Sequence, residues 1–218
     1  MGIALLNDTL WFPDANSANA DGLVAVGGNL SVPRLLLAYR SGIFPWTANP
    51  LTWWSPDPRG IFDLDAFHCP RSLAKEVHRG QFQITIDESF REVMEGCAAP
   101  APGRETTWIS PEFIEAFSNL HEQGHAHSVE YREADQLLGG IYGVAIGGFF
   151  AGESMFHRVN NASKIALFYL IQHLRERGFV LLDIQMLTPL TITLNGVNIP
   201  RQEYLKRLAH AINLERSF

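Results

Sequence analysis

Cysteine is scarce in this chain, charge is thin, and no hydrophobic run is long. Only Cys69 and Cys97 occur among 218 residues, neither with a CxxC or His-spaced partner, so neither a disulfide framework nor a zinc site is indicated. Both read as structural thiols. No apolar run approaches the roughly 20 residues that a membrane span needs. The stretch Met1-Gly-Ile-Ala-Leu-Leu-Asn-Asp8 is too brief and uncharged for a signal peptide, so the expected compartment is the cytoplasm, with no membrane partner. Lys and Arg number 17 against 23 acidic residues, a net charge of −6. Bulk coating of nucleic acid rests on basic residues that neutralise phosphates, and this balance argues against it. Internal repeats and low-complexity segments are missing too.

What is present suffices for a substantial core. The chain is 46% hydrophobic against 18% charged, enough for one large or two small domains. Residues 1–62 are rich in Trp, Phe, Pro and Gly around one clear helix, with Ser31 as N-cap, Pro33 near its start and Gly42 at its end. This predicts a small, loop-rich amino-terminal domain stabilised by aromatic burial. Residues 63–218 predict an α+β domain in which helices interrupt an antiparallel sheet. Helices are expected at 71–79, 88–96, 111–123, 162–177 and 201–214, and strands at 82–86, 125–132 and 180–185. A hairpin is expected at 137–146 and 149–156, and a loop at 98–103. Tyr204, Leu205, Leu208 and Ile212 form the apolar stripe of the last helix.

The hairpin, helix and strand from Gly139 to Gln185 carry the chemistry. Asp183 and Gln185 leave an apolar strand together and, two residues apart, point to the same face. Glu153 on the hairpin is placed to meet them. A purely structural role for Asp183, capping a strand end, is the alternative. Strand, strand, helix, strand is also the order of the acetyltransferase-like acyltransfer core, in which a glycine-rich loop at the helix start binds the coenzyme A pyrophosphate. Here the connection His157-Arg-Val-Asn-Asn-Ala-Ser-Lys164 has no glycine. By fold analogy the expectation is a GNAT-like domain lacking the coenzyme A phosphate loop, with a different acyl donor. Arg71, Lys75 and Arg79 recur at i, i+4, i+8 along one helical face. A phosphate-binding stripe and an ordinary solvated face both fit that pattern.

Segments spread along the chain resemble those of the bacterial leucyl/phenylalanyl-tRNA–protein transferases. They are Gly22-Leu-Val-Ala-Val-Gly-Gly28, Ala38-Tyr-Arg-Ser-Gly-Ile-Phe-Pro-Trp46, Trp53-Trp-Ser-Pro-Asp-Pro-Arg59, Thr107-Trp-Ile109, His127-Ser-Val-Glu130, Gly139-Gly-Ile-Tyr-Gly143, Gly152-Glu-Ser-Met-Phe156 and Asp183-Ile-Gln185. After Gln185 the family usually shows His-Leu-x-Ser-Leu-Gly-Ala, whereas this chain has Leu190-Thr-Ile-Thr-Leu-Asn-Gly196 before Ile199-Pro-Arg201. The spacing is kept, and Asn195 at the family's Gly position is a residue type that adopts a left-handed backbone. The resemblance implies transfer of Leu or Phe, and less readily Met, from aminoacyl-tRNA to proteins that begin with Arg or Lys, marking them for N-degron degradation. The implied partners are Leu-tRNA, Phe-tRNA and those acceptor proteins, and a monomer is expected. An aminoacyl ester is already activated, so no cofactor, ATP, metal or covalent enzyme intermediate is required. Positioning alone lowers such a barrier by about 7–11 kcal/mol.

The chemistry of the residues, read together with the resemblance, suggests their roles. The amide oxygen of Gln185 accepts a hydrogen bond from the attacking α-amine, while Asp183 orients that amide and favours the positive charge that develops on nitrogen. Glu153, costly among apolar neighbours unless paired, binds either the donor's α-ammonium or the acceptor's Arg or Lys. A salt bridge to Arg158 or Lys164 is its structural alternative. Met155, Ile141 and Leu182 line a pocket for the Leu or Phe side chain, unless Ile141 and Leu182 are plain core. Trp46, Trp108 and Phe150 match positions that hold the 3′-terminal adenosine, where stacking contributes about 1–3 kcal/mol per base. Arg71, Lys75 and Arg79 then contact acceptor-stem phosphates. Three rival readings are an N-acyltransferase with a small thioester donor, a non-catalytic tRNA or peptide-binding module, and a metal-dependent hydrolase at His121, His125 and His127.

Overall fold

Short runs of aromatic and β-branched residues, broken by Pro and Gly, fill the amino-terminal part and favour strands. In the computed structural model, which describes residues 2–101 and 105–218, they form β1 (Ala4–Leu6), β2 (Leu23–Gly27), β3 (Phe44–Ala48) and β4 (Leu51–Trp54). Met1 and, within the expected 98–103 loop, Pro102 and Gly103 lie outside the described residues. The four strands make one sheet of order β1-β2-β4-β3, with β1 and β2 parallel. The loop-rich expectation for this part is therefore corrected. Each strand spans five residues at most, too few to display an alternation, and Pro45 is tolerated because β3 is an edge strand. Helix α1 (Val32–Arg40) buries Leu35, Ala38 and Tyr39.

A second sheet of seven strands has the order β11-β5-β10-β9-β8-β7-β6. Its strands are β5 (Arg59–Phe62), β6 (Gln83–Ile86), β7 (Ala126–Glu133), β8 (Gln136–Ile146), β9 (Phe149–His157), β10 (Leu181–Gln185) and β11 (Val197–Ile199). Strand β5, which a division after residue 62 assigns to the amino-terminal part, is hydrogen-bonded between β10 and β11. The sheet is antiparallel except at its centre, where β9 and β10 run parallel. Helix α5 (Ala162–Glu176) carries the chain back between them, and such a crossover joins strands of the same direction. The other helices are α2 (Arg71–Arg79), α3 (Phe90–Ala98), α4 (Pro111–Glu122), α6 (Pro189–Thr193) and α7 (Arg201–Ala211). None of these helices is long and apolar enough to cross a membrane, among the described residues.

Period-2 alternation divides the large sheet's side chains between two layers. Ile141 and Leu182 pack with Leu167, Leu170 and Leu174 of α5. Tyr142, Ala151 and Leu181 join the cluster that holds Phe113 and Phe117 of α4 and continues to Val24 and Trp53 of the first sheet. The two sheets thus share one core. Trp53 is fully buried within it and donates its indole N–H to Gly27 O at 2.9 Å.

Two β-bulges interrupt the ladders near the centre. Between β8 and β9, Tyr142 pairs with Ser154 and Gly143 with Gly152, leaving Glu153 as the extra residue. Between β10 and β5, Asp183 pairs with Ile61 and Gln185 with Gly60, leaving Ile184 extra. Glycine is needed at both irregularities: a Cβ at Gly143 would sit 2.1 Å from Ala151 O, and one at Gly60 would sit 2.9 Å from the carbonyl carbon of Met186. Gly143→Ala is expected to destabilise by about 1–3 kcal/mol, the usual cost of forcing extra atoms into a packed interior. Thermal unfolding should show a midpoint lowered by several degrees; an unchanged midpoint would refute the close packing at this bulge.

Candidate active site

Asp183 is fully buried and takes four hydrogen bonds. Arg59 approaches it side-on, Nε donating to Oδ1 at 2.9 Å and Nη2 to Oδ2 at 2.7 Å, the bidentate geometry that a guanidinium fork offers a carboxylate. Tyr204 of α7 donates its hydroxyl to Oδ2 at 2.8 Å, and the backbone N–H of Gln185 donates to Oδ1 at 2.9 Å. Arg59 is itself buried, donates to Gly42 O at 3.1 Å, and has its guanidinium 4.8 Å and 4.3 Å from the ring centroids of Phe44 and Tyr204. Burial works against charge on Arg59, and the facing Asp183 carboxylate outweighs it, holding the guanidinium above its usual pKa. Burial also pushes the Tyr204 hydroxyl up.

Gln185 does not share Asp183's surroundings, contrary to the expectation that the two point to one face. The bulge at Ile184 and a left-handed backbone at Gln185, φ 55°, break the alternation. Asp183 therefore holds the backbone of Gln185, and the side-chain amide turns instead to Glu153, Nε2 lying 3.1 Å from Oε1. Glu153 has no ion pair with Arg158 or Lys164. Arg158 donates to Leu137 O and Lys164 to the Asn161 side chain. Burial pushes the Glu153 carboxyl up to about 8, with Asp183 adding to the rise and Tyr39 and Arg59 opposing it. The buried Tyr39 hydroxyl lies near enough to favour the charged carboxylate without completing a hydrogen bond.

Two cavities meet at this pair. One, of about 340 Å³, is walled by Phe44, Trp46 and Trp108 opposite Gln185, Met186 and Thr188. Each indole is propped edge-on by another ring, Trp46 by Trp54 at 5.2 Å and Trp108 by Phe113 at 5.2 Å. The other cavity, of about 230 Å³, is lined by Ile141, Gly152, Met155, Leu167 and Leu182. Glu153, Ile184, Gln185, Met186 and Thr188 belong to both walls. The structure thus assembles Glu153, Met155, Ile141, Leu182 and Gln185 around one pocket and Trp46 with Trp108 around its neighbour.

Phe150 is not among them. It is 1% exposed and stacks on Phe218 at 5.3 Å within the layer under α5, so the expected direct contact with an adenosine is corrected. Arg71, Lys75 and Arg79 lie exposed along α2, and α2 packs on α5 rather than at the cavities. His121 and His127 both lie beside Asp87, their Nδ1 atoms 3.9 Å from Oδ1 and 2.6 Å from Oδ2, and His121 Nδ1 is also 2.8 Å from Ala126 O. No group of three or more His, Cys, Asp or Glu is placed to hold a metal ion, among the described residues. Arg59, Tyr204 and Tyr39 were not anticipated as parts of the site. The sole signal for Arg59 and Tyr39 was their place in the Trp53–Arg59 and Ala38–Trp46 segments.

A family model described as leucyl/phenylalanyl-tRNA protein transferase matches residues 61–209, and one described as the amino-terminal domain of the same family matches residues 28–57. A leucyl/phenylalanyl-tRNA–protein transferase from Magnetococcus marinus is 52% identical over 208 residues, covering 92% of this chain and 88% of the relative. One from Nitratidesulfovibrio vulgaris is 46% identical over 210 residues, covering 95% and 90%. Among solved structures, L-PGS from Bacillus licheniformis aligns with a TM-score of 0.44 at 11% identity, over 82% of this chain and 62% of that one.

The raised carboxyl of Glu153 makes stability depend on pH. Its folded value of about 8 lies above the ordinary 4.5, so the folded state holds the proton more tightly than the unfolded chain. That contribution is complete below about 4.5 and is lost as pH rises to about 8. Glu153→Gln removes the titration. The melting temperature of the variant relative to the native protein should climb across this interval and level off above it. Parallel melting curves across the whole interval would contradict the raised value.

Proposed function

The chain belongs to the leucyl/phenylalanyl-tRNA–protein transferase family, and from that premise we propose how its two joined cavities divide the substrates between them. The activity is aminoacyl-tRNA-dependent transfer of Leu or Phe to the amino-terminus of a protein. In the proposed arrangement the 3′-terminal adenosine lies between Trp46 and Trp108, where stacking suits an end that is the same in every tRNA. The aminoacyl side chain enters the apolar cavity, against Ile141, Met155 and Leu182. Its ester carbonyl then falls at the wall common to both, beside Glu153 and Gln185. The shared wall is the observation that carries this reading.

Gln185 aims the acceptor's α-amine, and Asp183 acts one step back by holding the Gln185 backbone. Glu153 meets cationic substrate groups. The acceptor begins with Arg or Lys, whose added charge suits the same carboxylate, and the product is a protein marked for N-degron degradation. The β8–β9–α5–β10 unit serves as an acetyltransferase-like scaffold, and the glycine-free connection into α5 supports an acyl donor without a pyrophosphate. In this reading the protein works in the cytoplasm as a monomer.

Labelled Leu or Phe should pass from charged tRNA to a peptide that begins with Arg and not to the same peptide with its amino-terminus acetylated. Absence of product with both substrates bound defeats the arrangement. The exposed Arg71, Lys75 and Arg79 are assigned to acceptor-stem phosphates. Reversing these charges should weaken tRNA binding and lower the slope of affinity against salt by roughly one for each phosphate no longer neutralised. Unchanged affinity and slope would return the stripe to being a solvated face.

A further inference from the structure

We propose that Glu153 is the proton acceptor of the transfer reaction, taking a proton from the acceptor's α-ammonium at the junction of the two cavities. This rests on the cavity assignment above and goes beyond anchoring a cation. Three observations carry it. Glu153 is the one acidic or basic side chain lining either cavity, among the described residues. Asp183 is withdrawn from substrates, being fully buried with its oxygens facing Arg59, Tyr204 and the Gln185 backbone. The Gln185 amide is too weak a base to hold a proton, and it is hydrogen-bonded to the carboxylate that can. Glu153 is also the bulged residue of β9, and bulges re-aim side chains beside active sites.

The groups around Glu153 suit the exchange. Tyr39 faces it from α1, Tyr142 from β8, Arg59 from β5 and Asp183 from β10. The hydroxyls of Tyr39 and Tyr142 are buried behind the carboxylate, and that of Tyr39 lies close enough to favour its charged form. Its carboxyl, raised to about 8, is matched to an α-amine of about 7.7–8.0, and proton transfer between matched groups is facile.

The steps balance. As the α-ammonium docks, its positive charge draws the Glu153 carboxyl into the ionised form and the carboxyl proton passes to solvent; the ammonium then gives one proton to that carboxylate, leaving a neutral amine and a carboxylic acid. The amine's lone pair attacks the ester carbonyl carbon, a C–N bond forms, and the C–O bond to the ribose breaks. The leaving ribose oxygen takes the second proton from nitrogen and departs as the hydroxyl. Glu153 ends as the carboxylic acid it was before the acceptor arrived, and the proton lost on docking is the one that each transfer releases overall.

The test is single-turnover transfer at saturating Arg-initiated peptide, followed across pH for the native protein, Glu153→Gln and Glu153→Asp. At neutral pH the Gln variant should be slower by on the order of 10²-fold, a usual contribution for a positioned base. The gap should narrow to a few-fold at alkaline pH, where the amine arrives deprotonated, and the Asp variant should keep the native pH dependence. A gap that is the same at every pH, or a loss confined to the acceptor KM with an unchanged rate at saturation, overturns the proposal and leaves Glu153 an anchor. The cavity assignment fails separately, by unchanged aminoacyl-tRNA affinity in Trp108→Ala.

Discussion

The buried pair of Arg59 and Asp183 is the constraint on which the site depends. Taking two charges out of water costs nearly as much as their attraction returns, so such a pair adds little net stability, whereas removing one partner costs about 3–5 kcal/mol. Its effect is on geometry. Arg59 belongs to β5 and Asp183 to β10; Tyr204 comes from α7, Gly42 from the connection after α1 and Phe44 from the start of β3. One guanidinium thus joins the first sheet, the second sheet and the last helix. With those elements fixed, Asp183 Oδ1 accepts the Gln185 N–H as well as Arg59 Nε, which holds Gln185 in its left-handed turn.

From that turn the two bulges gain their meaning. Strands β9 and β10 pair in parallel only as far as Ala151 and Asp183. Beyond this point Glu153 bulges from one and Ile184 from the other. An extra residue in each bends both strands away from a regular ladder. The opening between them is where the two cavities join, and Glu153 and Gln185 face each other across it at 3.1 Å. Gly60 lets Met186 and Leu187 pass close over β5, closing the wall that both cavities share. The same ladder irregularities therefore aim the polar groups and make the space for the substrate.

Much of this was legible in the sequence where the signal is local. The fifteen-residue α5, the β8–β9 hairpin and the β10 strand were readable from periodicity and turn residues. Glu153, Gln185, Ile141, Met155 and Leu182, which the structure brings to one cavity, could be picked out on these strands. Asn195, placed at a family glycine, does take a left-handed backbone, φ 69°. What was not legible depends on partners distant in the chain. Asp183 meets Arg59 across 124 positions, and nothing near either residue announces the other. The shift of Gln185 away from the Asp183 face follows from a bulge, which has no period to detect. The resemblance implied Phe150 as a stacking platform, but strand alternation turns its ring into the layer under α5.

The burial that raises the Glu153 carboxyl also bears on the choice between amine and water. An aminoacyl ester is as open to hydrolysis as to aminolysis, and a carboxylate beside it in an open site would activate water. With only the donor bound, a carboxyl raised to about 8 stays largely protonated at neutral pH and is no base toward water, whose own proton is far harder to remove. An arriving α-amine of about 7.7–8.0 is different, because the pair can share a proton at little cost. On the proposed assignment, the apolar wall that would accept the aminoacyl side chain excludes water and raises the carboxyl at once. On the proposed role, the base is competent only when the acceptor stands beside it, so desolvation protects the donor ester until there is an amine to receive it.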